Sequence, residues 1–352
     1  MTGLRQIGEF GLIELIRQLE EEASYRLEMA RLGGRAPQGR LRAAGLSGAV
    51  MGIGDDAAVL PGRPGFHTLL TVDTLVEGVH FLRPKISPAD LGARALAVNV
   101  SDIAAMGGYP TFAVVSLAIP ESLEVEWLEE LYRGLLAEGT TWGVQVVGGD
   151  TVRAGEFSLT VALLGEVEEG RAVLRRGARP GERIAVTGTL GDSAAGLELL
   201  LRESGAPALD PEVRARLLAR HFTPRPRVPE GRDLGAGIAT AMIDVSDGIA
   251  TDLRHLCSES GVGARIYADR LPLSPDLRAA AAALGLDPVS LALSGGEDYE
   301  LLFTAPEEKL RPTLAGGTPV TVIGEVVEAD RGLSLVREDG RSTPLPHGYR
   351  HF

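Results

Sequence analysis

Carboxylates set among glycines recur at four places: Gly54-Asp55-Asp56-Ala57, Gly148-Gly149-Asp150-Thr151, Asp244-Val245-Ser246-Asp247-Gly248 and Gly295-Gly296-Glu297-Asp298. Glycine allows sharp turns and a close approach of backbone to ligand. Adjacent carboxylates repel unless solvent or a cation relieves them. One such stretch alone fits a solvated turn before a strand. Four together favour a site of oxygen ligands for a hard cation. Zinc is poorly served, since the chain has one cysteine, Cys257, and its only close histidine pair is His347 and His351. Oxygen-only ligation selects Mg2+, Mn2+ or Ca2+. Asp56, Asp73, Asp102, Asp150, Asp244 and Asp247 are more than one ion needs. Several ions imply several phosphates to neutralise, which is the requirement of phosphoryl transfer between polyanions.

Other catalytic signatures are missing. A P-loop needs Gly-Lys-Ser/Thr, but Lys85 follows Pro84 and Lys309 follows Glu308. The protein-kinase set, EF-hand spacing and the G-x-S-x-G elbow do not occur. No strand is followed by G-x-G-x-x-G, which argues against a dinucleotide fold.

The composition is that of an ordinary globular protein: 352 residues, 44% hydrophobic and 24% charged. That length suggests two domains. A net charge of -13 without a basic stripe argues against nucleic acid as a partner. With a single cysteine no intrachain disulfide is possible, which fits a reducing compartment. No apolar stretch reaches a membrane span and no signal pattern opens the chain. The expectation is a cytoplasmic protein that leaves membranes alone.

The acids must be held by regular elements. Residues 8–22 predict a helix, with Leu12, Leu15, Ile16 and Leu19 at helical spacing, and 23–48 an Arg- and Gly-rich loop outside the core. His67 to Val76 predicts a strand that carries Asp73. Ser87 caps a helix from Pro88 to about Met106. Asn99 and Asp102 share a face of its apolar second half. A carboxylate there is costly unless paired or metal-bound; a polar stripe hydrogen-bonded to Asn99 is the alternative. Phe112–Ile119 and Phe157–Val167 predict strands, Val125–Trp142 a helix, and Val144–Val147 a short buried strand ending in Gly148-Gly149. A polar crossover over 168–182 divides the chain into domains 1–167 and 168–352. In the second half Arg183–Thr187, Ala241–Val245, Arg265–Ala268, Val320–Val327 and Leu333–Val336 predict strands. The turn over 188–193 leads into a helix through about Arg202, and 211–221 and 275–284 predict further helices. Residues 223–229 are too rich in proline for a helix, and Ser246-Asp247 cap a further one. Both halves are mixed α/β.

The ordered set GIGDDAAV, TVDTLVEGVHF, ALAVNVSDIAAMG, GGDT, RRGARPG, VTGTLGDSAAG, DVSDGI, LSGGEDYEL and GYRHF resembles the thiamine-monophosphate kinases over nearly the whole chain. These belong to the aminoimidazole ribonucleotide synthetase-like superfamily of ATP users. The resemblance implies two α/β domains, a homodimer paired through the N-terminal domains, and direct phosphorylation of thiamine monophosphate by ATP. It implies magnesium on Asp56, Thr71, Val72 (through its backbone), Asp73, Asp102, Asp150, Asp244 and Asp247. Asp102, Asp150 and Asp244 would be central to catalysis. Gly149, Asp150, Arg175 and Ser246 would meet ATP, and His80, Glu297 and a terminal aromatic, Phe352 or Tyr349, the substrate. Asp55 and Asp298 are alternates. From residue type alone, Arg175 also fits an exposed linker and His80 a packed core position. Two rivals are another ATP-using member of the superfamily and a non-catalytic cation or nucleotide binder. Selenophosphate synthesis would want an N-terminal cysteine and the hydrogenase-maturation dehydratase a C-terminal one; the only cysteine is Cys257.

Overall fold

The computed structural model describes residues 55–202 and 209–346. The expected helix over 8–22, the loop over 23–48, and Tyr349 and Phe352 lie outside them. Two sheets organise the described residues. The first is built from β1 (Ala58–Pro61), β2 (Phe66–Val76), β3 (Tyr109–Ile119), β4 (Gln145–Arg153) and β5 (Ser158–Glu168), in the order β1-β2-β5-β3-β4. Its inward residues alternate strictly: Leu159, Val161 and Leu163 on β5 and Ala113, Val115 and Leu117 on β3 are buried. They pack against α1 (Pro88–Ala105) and α2 (Val125–Trp142).

Helix α1 begins as its sequence dictates. Ser87 Oγ accepts the Asp90 N–H, and Pro88 occupies the first turn, where its missing donor costs nothing. The two helices touch backbone to backbone. A Cβ on Gly92 would lie 1.9 Å from the Leu131 carbonyl oxygen, so only glycine fits there.

The second sheet holds β6 (Arg183–Thr187), β7 (Ala241–Asp244), β8 (Gly263–Tyr267), β9 (Leu301–Ala305), β10 (Val320–Val327), β11 (Leu333–Val336) and β12 (Ser342–Pro344), ordered β12-β11-β8-β10-β6-β9-β7. Helices α3 (Asp192–Leu201), α4 (Pro211–Phe222), α5 (Val228–Gly235), α6 (Ile249–Ser260), α7 (Pro275–Leu284) and α8 (Pro288–Ser294) accompany it. Leu91, Leu96 and Val100 of α1 belong to the core of the first sheet, while its Ala105 packs with Met242, Leu301 and Phe303 of the second. One helix therefore serves both sheets.

Three expectations are corrected, and one helix, α8, is unforeseen. Strand β4 is not short and buried: parallel pairing with β3 carries it through Gly148-Gly149-Asp150 to Arg153, and at the sheet edge nearly all of it is exposed. Helix α5 starts inside the proline-rich stretch, because Pro229 sits in its first turn, where no N–H is needed. Helix α8 precedes Gly295, with the Asp287 side chain accepting the Val289 N–H as its cap. Ser246 and Asp247 do not cap α6; Gly248 holds that position without a side-chain bond.

Candidate active site

Strand β2 alternates at the acids. Thr71 lies buried on the covered face and Asp73 shares that face, while the Val72 side chain between them is 60% exposed on the other face. Thr71 Oγ1 donates to Asp102 Oδ2 of α1 at 2.5 Å. The Asp73 and Asp102 carboxyls lie close enough for each to affect the other's titration. Asn99 turns elsewhere: its Nδ2 donates to the Ala95 carbonyl. One residue back on α1, Ser101 Oγ donates to Asp244 Oδ2 at 2.6 Å, joining the helix to the end of β7.

Asp56 completes the group. Carboxylate oxygens of Asp56, Asp102 and Asp244 all lie within 4.8 Å of one another. Arg175 reaches in from the crossover: Nη2 donates to Asp56 Oδ1 at 2.8 Å and Nε to Oδ2 at 3.3 Å. Its backbone N–H donates to Asp55 Oδ2 at 3.0 Å. Among the described residues, Arg175 is the one cation that bonds to these acids. The excess of negative charge shows in their titration. Burial first, then the neighbouring carboxylates, push Asp102 well above the ordinary carboxylate range. Asp244 moves the same way, through burial and then Asp56, with Ser101 and Arg175 opposing. Burial lifts Asp73 to about 6, and burial with Asp56 lifts Asp55 to about 7. An all-oxygen donor set that is buried and short of positive charge fits a hard divalent cation.

Asp73, Asp102 and Asp244 line a cavity of about 530 Å³ together with Ser246 and Asp247. Its walls turn apolar with distance: Phe81, Leu82, Leu197, Leu200 and Phe222. His80 stands in this wall, its Nδ1 accepting the Val76 N–H at 3.1 Å, so a neutral ring carries its proton on Nε2. Glu297 also lines the cavity and has a positive φ of 57°. Its N–H donates to the Ser246 carbonyl at 2.7 Å, and the Tyr299 N–H to that of Val245 at 2.9 Å. The two acidic loops are thus laced together. A Cβ on Gly296 would lie 2.4 Å from the Ser246 oxygen, so the lacing needs glycine there.

Not every expected residue joins this group. Asp298 turns away, its Oδ2 accepting the Gly191 N–H at 2.8 Å, and burial lifts its pKa to about 8. Asp150 lies on the outer face of the sheet, in one cross-strand row with Thr74, Thr160 and Ser116. It is three strand spacings from Thr74, roughly 14 Å, and Gly149 is beside it on β4. Three participants carry no motif in the sequence: Arg94, His221 and Asp252. Asp252 Oδ2 accepts the Asp247 N–H at 3.2 Å, and Asp252 is buried. Its only signal is an acid in the first turn of an amphipathic helix.

Residues 54–167 match the N-terminal domain of AIR synthase related proteins, and 179–336 match the C-terminal domain. The chain is 39% identical to a thiamine-monophosphate kinase of Aquifex aeolicus, covering 99% of both. It is 44% identical to one from Salmonella typhimurium, covering 86% of this chain and 91% of the relative. A solved structure described as AaThiL complexed with AMPPCP and TMP superposes with a TM-score of 0.83 at 38% identity, covering 100% of this chain and 99% of that one. Like the nine motifs and the laced acidic loops, these likenesses run through both sheets, and the chain belongs to the thiamine-monophosphate kinase family.

Proposed function

We propose that this chain transfers the terminal phosphoryl group of ATP to thiamine monophosphate, giving thiamine diphosphate and ADP. The observation that carries the reading is the under-compensated acid group beside a cavity lined by both polar and apolar side chains. Asp56, Asp73, Asp102 and Asp244, helped by Thr71, Asp150, Asp247 and the Val72 main chain, are assigned to Mg2+. Bound magnesium supplies the charge that lets two phosphate groups approach. Arg175 can fork onto phosphate oxygens, and Gly149 and Ser246 are assigned to ATP. His80 in the cavity wall and Glu297, an acceptor, are assigned to thiamine monophosphate. The attacking phosphate has a second pKa near ~6, so it is mostly ionised at neutral pH and needs no base. Direct transfer between the two substrates follows, without a phosphoenzyme. Thiol chemistry of the wider superfamily is disfavoured: Cys257 is buried and its thiol is pushed up to about 12. We assign domains 1–167 and 168–352, and a cytoplasmic setting. Among the described residues no single helix is long and apolar enough to cross a membrane.

The outer face of the first sheet supports a homodimer. Leu70, Val72, Phe112, Val114 and Val147 are exposed there, a patch of the kind that marks an interface. A facing second copy would cover it. We assign Gly149 and Asp150, remote from the acids of their own chain, to the site of that partner. Val114→Asp should convert the dimer to monomer in sedimentation; a wild type that sediments as monomer at micromolar concentration would sink this part. The transfer itself is tested by ADP release with and without thiamine monophosphate. Release should require it, mole for mole with thiamine diphosphate. Equal release without it would leave a nucleotide hydrolase or binder.

A further inference from the structure

Arg94 and His221 meet at Glu297, and all three line the cavity. Arg94 projects from α1, His221 from α4, and Glu297 follows α8, 203 residues beyond Arg94. Arg94 is only 1% exposed and is among the largest fully buried side chains. A guanidinium withdrawn that far from water is costly unless a carboxylate answers it. Its Nη2 bonds to Glu297 Oε1, while its Nε is buried without a partner. His221 is 5% exposed, with Nδ1 3.4 Å from Glu297 Oε2 and 3.1 Å from Ser193 Oγ. Burial and the Arg94 charge hold its pKa down to about 4, so it stays a neutral ring. The Glu297 side chain keeps 30% exposure and lines the cavity. One carboxylate is thus gripped from behind by two helices that come from opposite sheets. Its backbone sits in a conformation that side chains other than glycine seldom adopt, so the grip decides where it points.

We propose that Arg94 and His221 are positioning residues that aim the Glu297 carboxylate into the cavity, and that this aim selects an aminopyrimidine ring over one bearing a carbonyl in place of the amino group. The inference rests on thiamine monophosphate being the substrate. An ionised carboxylate only accepts hydrogen bonds, so an amino N–H satisfies it and a carbonyl opposes it lone pair to lone pair. Sites built to bond an N–H reject analogues that lack it far more strongly than sites that merely fit shape.

The test is steady-state turnover of thiamine monophosphate and of its 4-oxo analogue by wild type, Arg94→Met, Arg94→Lys, His221→Leu and His221→Asn. The wild type should prefer the amino substrate by at least about 10²-fold in kcat/KM. In Arg94→Met and His221→Leu the KM for thiamine monophosphate should rise at least ~10-fold and the preference narrow by a similar factor, with the KM for ATP within twofold. Arg94→Lys and His221→Asn each restore a donor and should recover part of both losses. An unchanged preference in the folded variants, or a parallel rise of both KM values, would overturn the positioning role. If Arg94→Met does not fold, the two His221 variants decide alone. A wild type that releases no ADP in response to thiamine monophosphate would overturn the substrate reading, and the proposal with it.

Discussion

Two of the buried acidic groups among the described residues differ in what answers their charge. Glu300 is fully buried. Arg227 grips it with Nε and Nη2, each at 2.6 Å, Arg220 Nη2 adds a bond at 3.0 Å, and Thr187 Oγ1 donates at 2.7 Å. Two arginines answer that carboxylate directly, while Arg220 also lies 3.9 Å from Asp192 and Arg227 3.6 Å from Glu230. At the other centre Asp56, Asp73, Asp102 and Asp244 gather around a single arginine, Arg175. Burial of charge is common to both. A shortage of countercharge over several clustered carboxylates characterises the second, the pattern of a place where a ligand from outside binds.

A pair of isosteric substitutions would break that comparison or sharpen it. Asp102→Asn should lower turnover at saturating Mg2+ by at least ~10²-fold, the scale of losing one element of a preorganised charged site. Its melting temperature in chelator should hold or rise, because repulsion among the acids is relieved. Glu300→Gln should do the reverse: it strands two arginines and should cost about 3 kcal/mol or more of stability, with or without Mg2+. Near-normal turnover in Asp102→Asn with a lowered melting temperature would make Asp102 a structural residue.

A smaller effect concerns pH. Asp55, lifted to about 7, and Asp298, lifted to about 8, hold protons in the folded chain that the unfolded chain has released. Their contribution is present at lower pH and is lost as pH rises through those values. His221 and His255, both held down to about 4 by burial and by arginine, act in the opposite direction but only below their ordinary 6.5. In chelator, therefore, the melting temperature should fall between pH 6.5 and 8.5 by roughly 2–4 °C, the size of a ~1 kcal/mol loss. Added Mg2+ should flatten the part due to Asp55 and leave that of Asp298. A level or rising curve in chelator would contradict the assigned directions.

What could be read from the chain was whatever local rules control. Ser87-Pro88 with Asp90 announces α1, and the period of Val125–Trp142 announces α2. Asp102 stands out as a carboxylate among alanine, valine and isoleucine, and the structure brings it together with Asp56 and Asp244. The terminal aromatics fall outside the described residues. What escaped was set by distant contacts. Nothing in Gly92-Ala93-Arg94-Ala95 distinguishes a buried arginine from a solvated one; only α8, β9 and α4 make it so. Strand β4 extends through two glycines because β3 pairs with it, which overrides their turn preference. Helix α5 was hidden by a proline that reads as a breaker except in a first turn.

Helix α1 presents Arg94, Val98 and Asp102 to one cavity. The eight residues from Arg94 to Asp102 span about 12 Å along a straight helix. It therefore acts as a ruler. Glu297 is tied to one graduation through Arg94, and the acid cluster to another through Asp102. On the proposed reading, substrate length would be measured by the same rigid object that holds the chemistry, and a ligand could match the ring and carry a phosphate yet still fail to reach both marks at once.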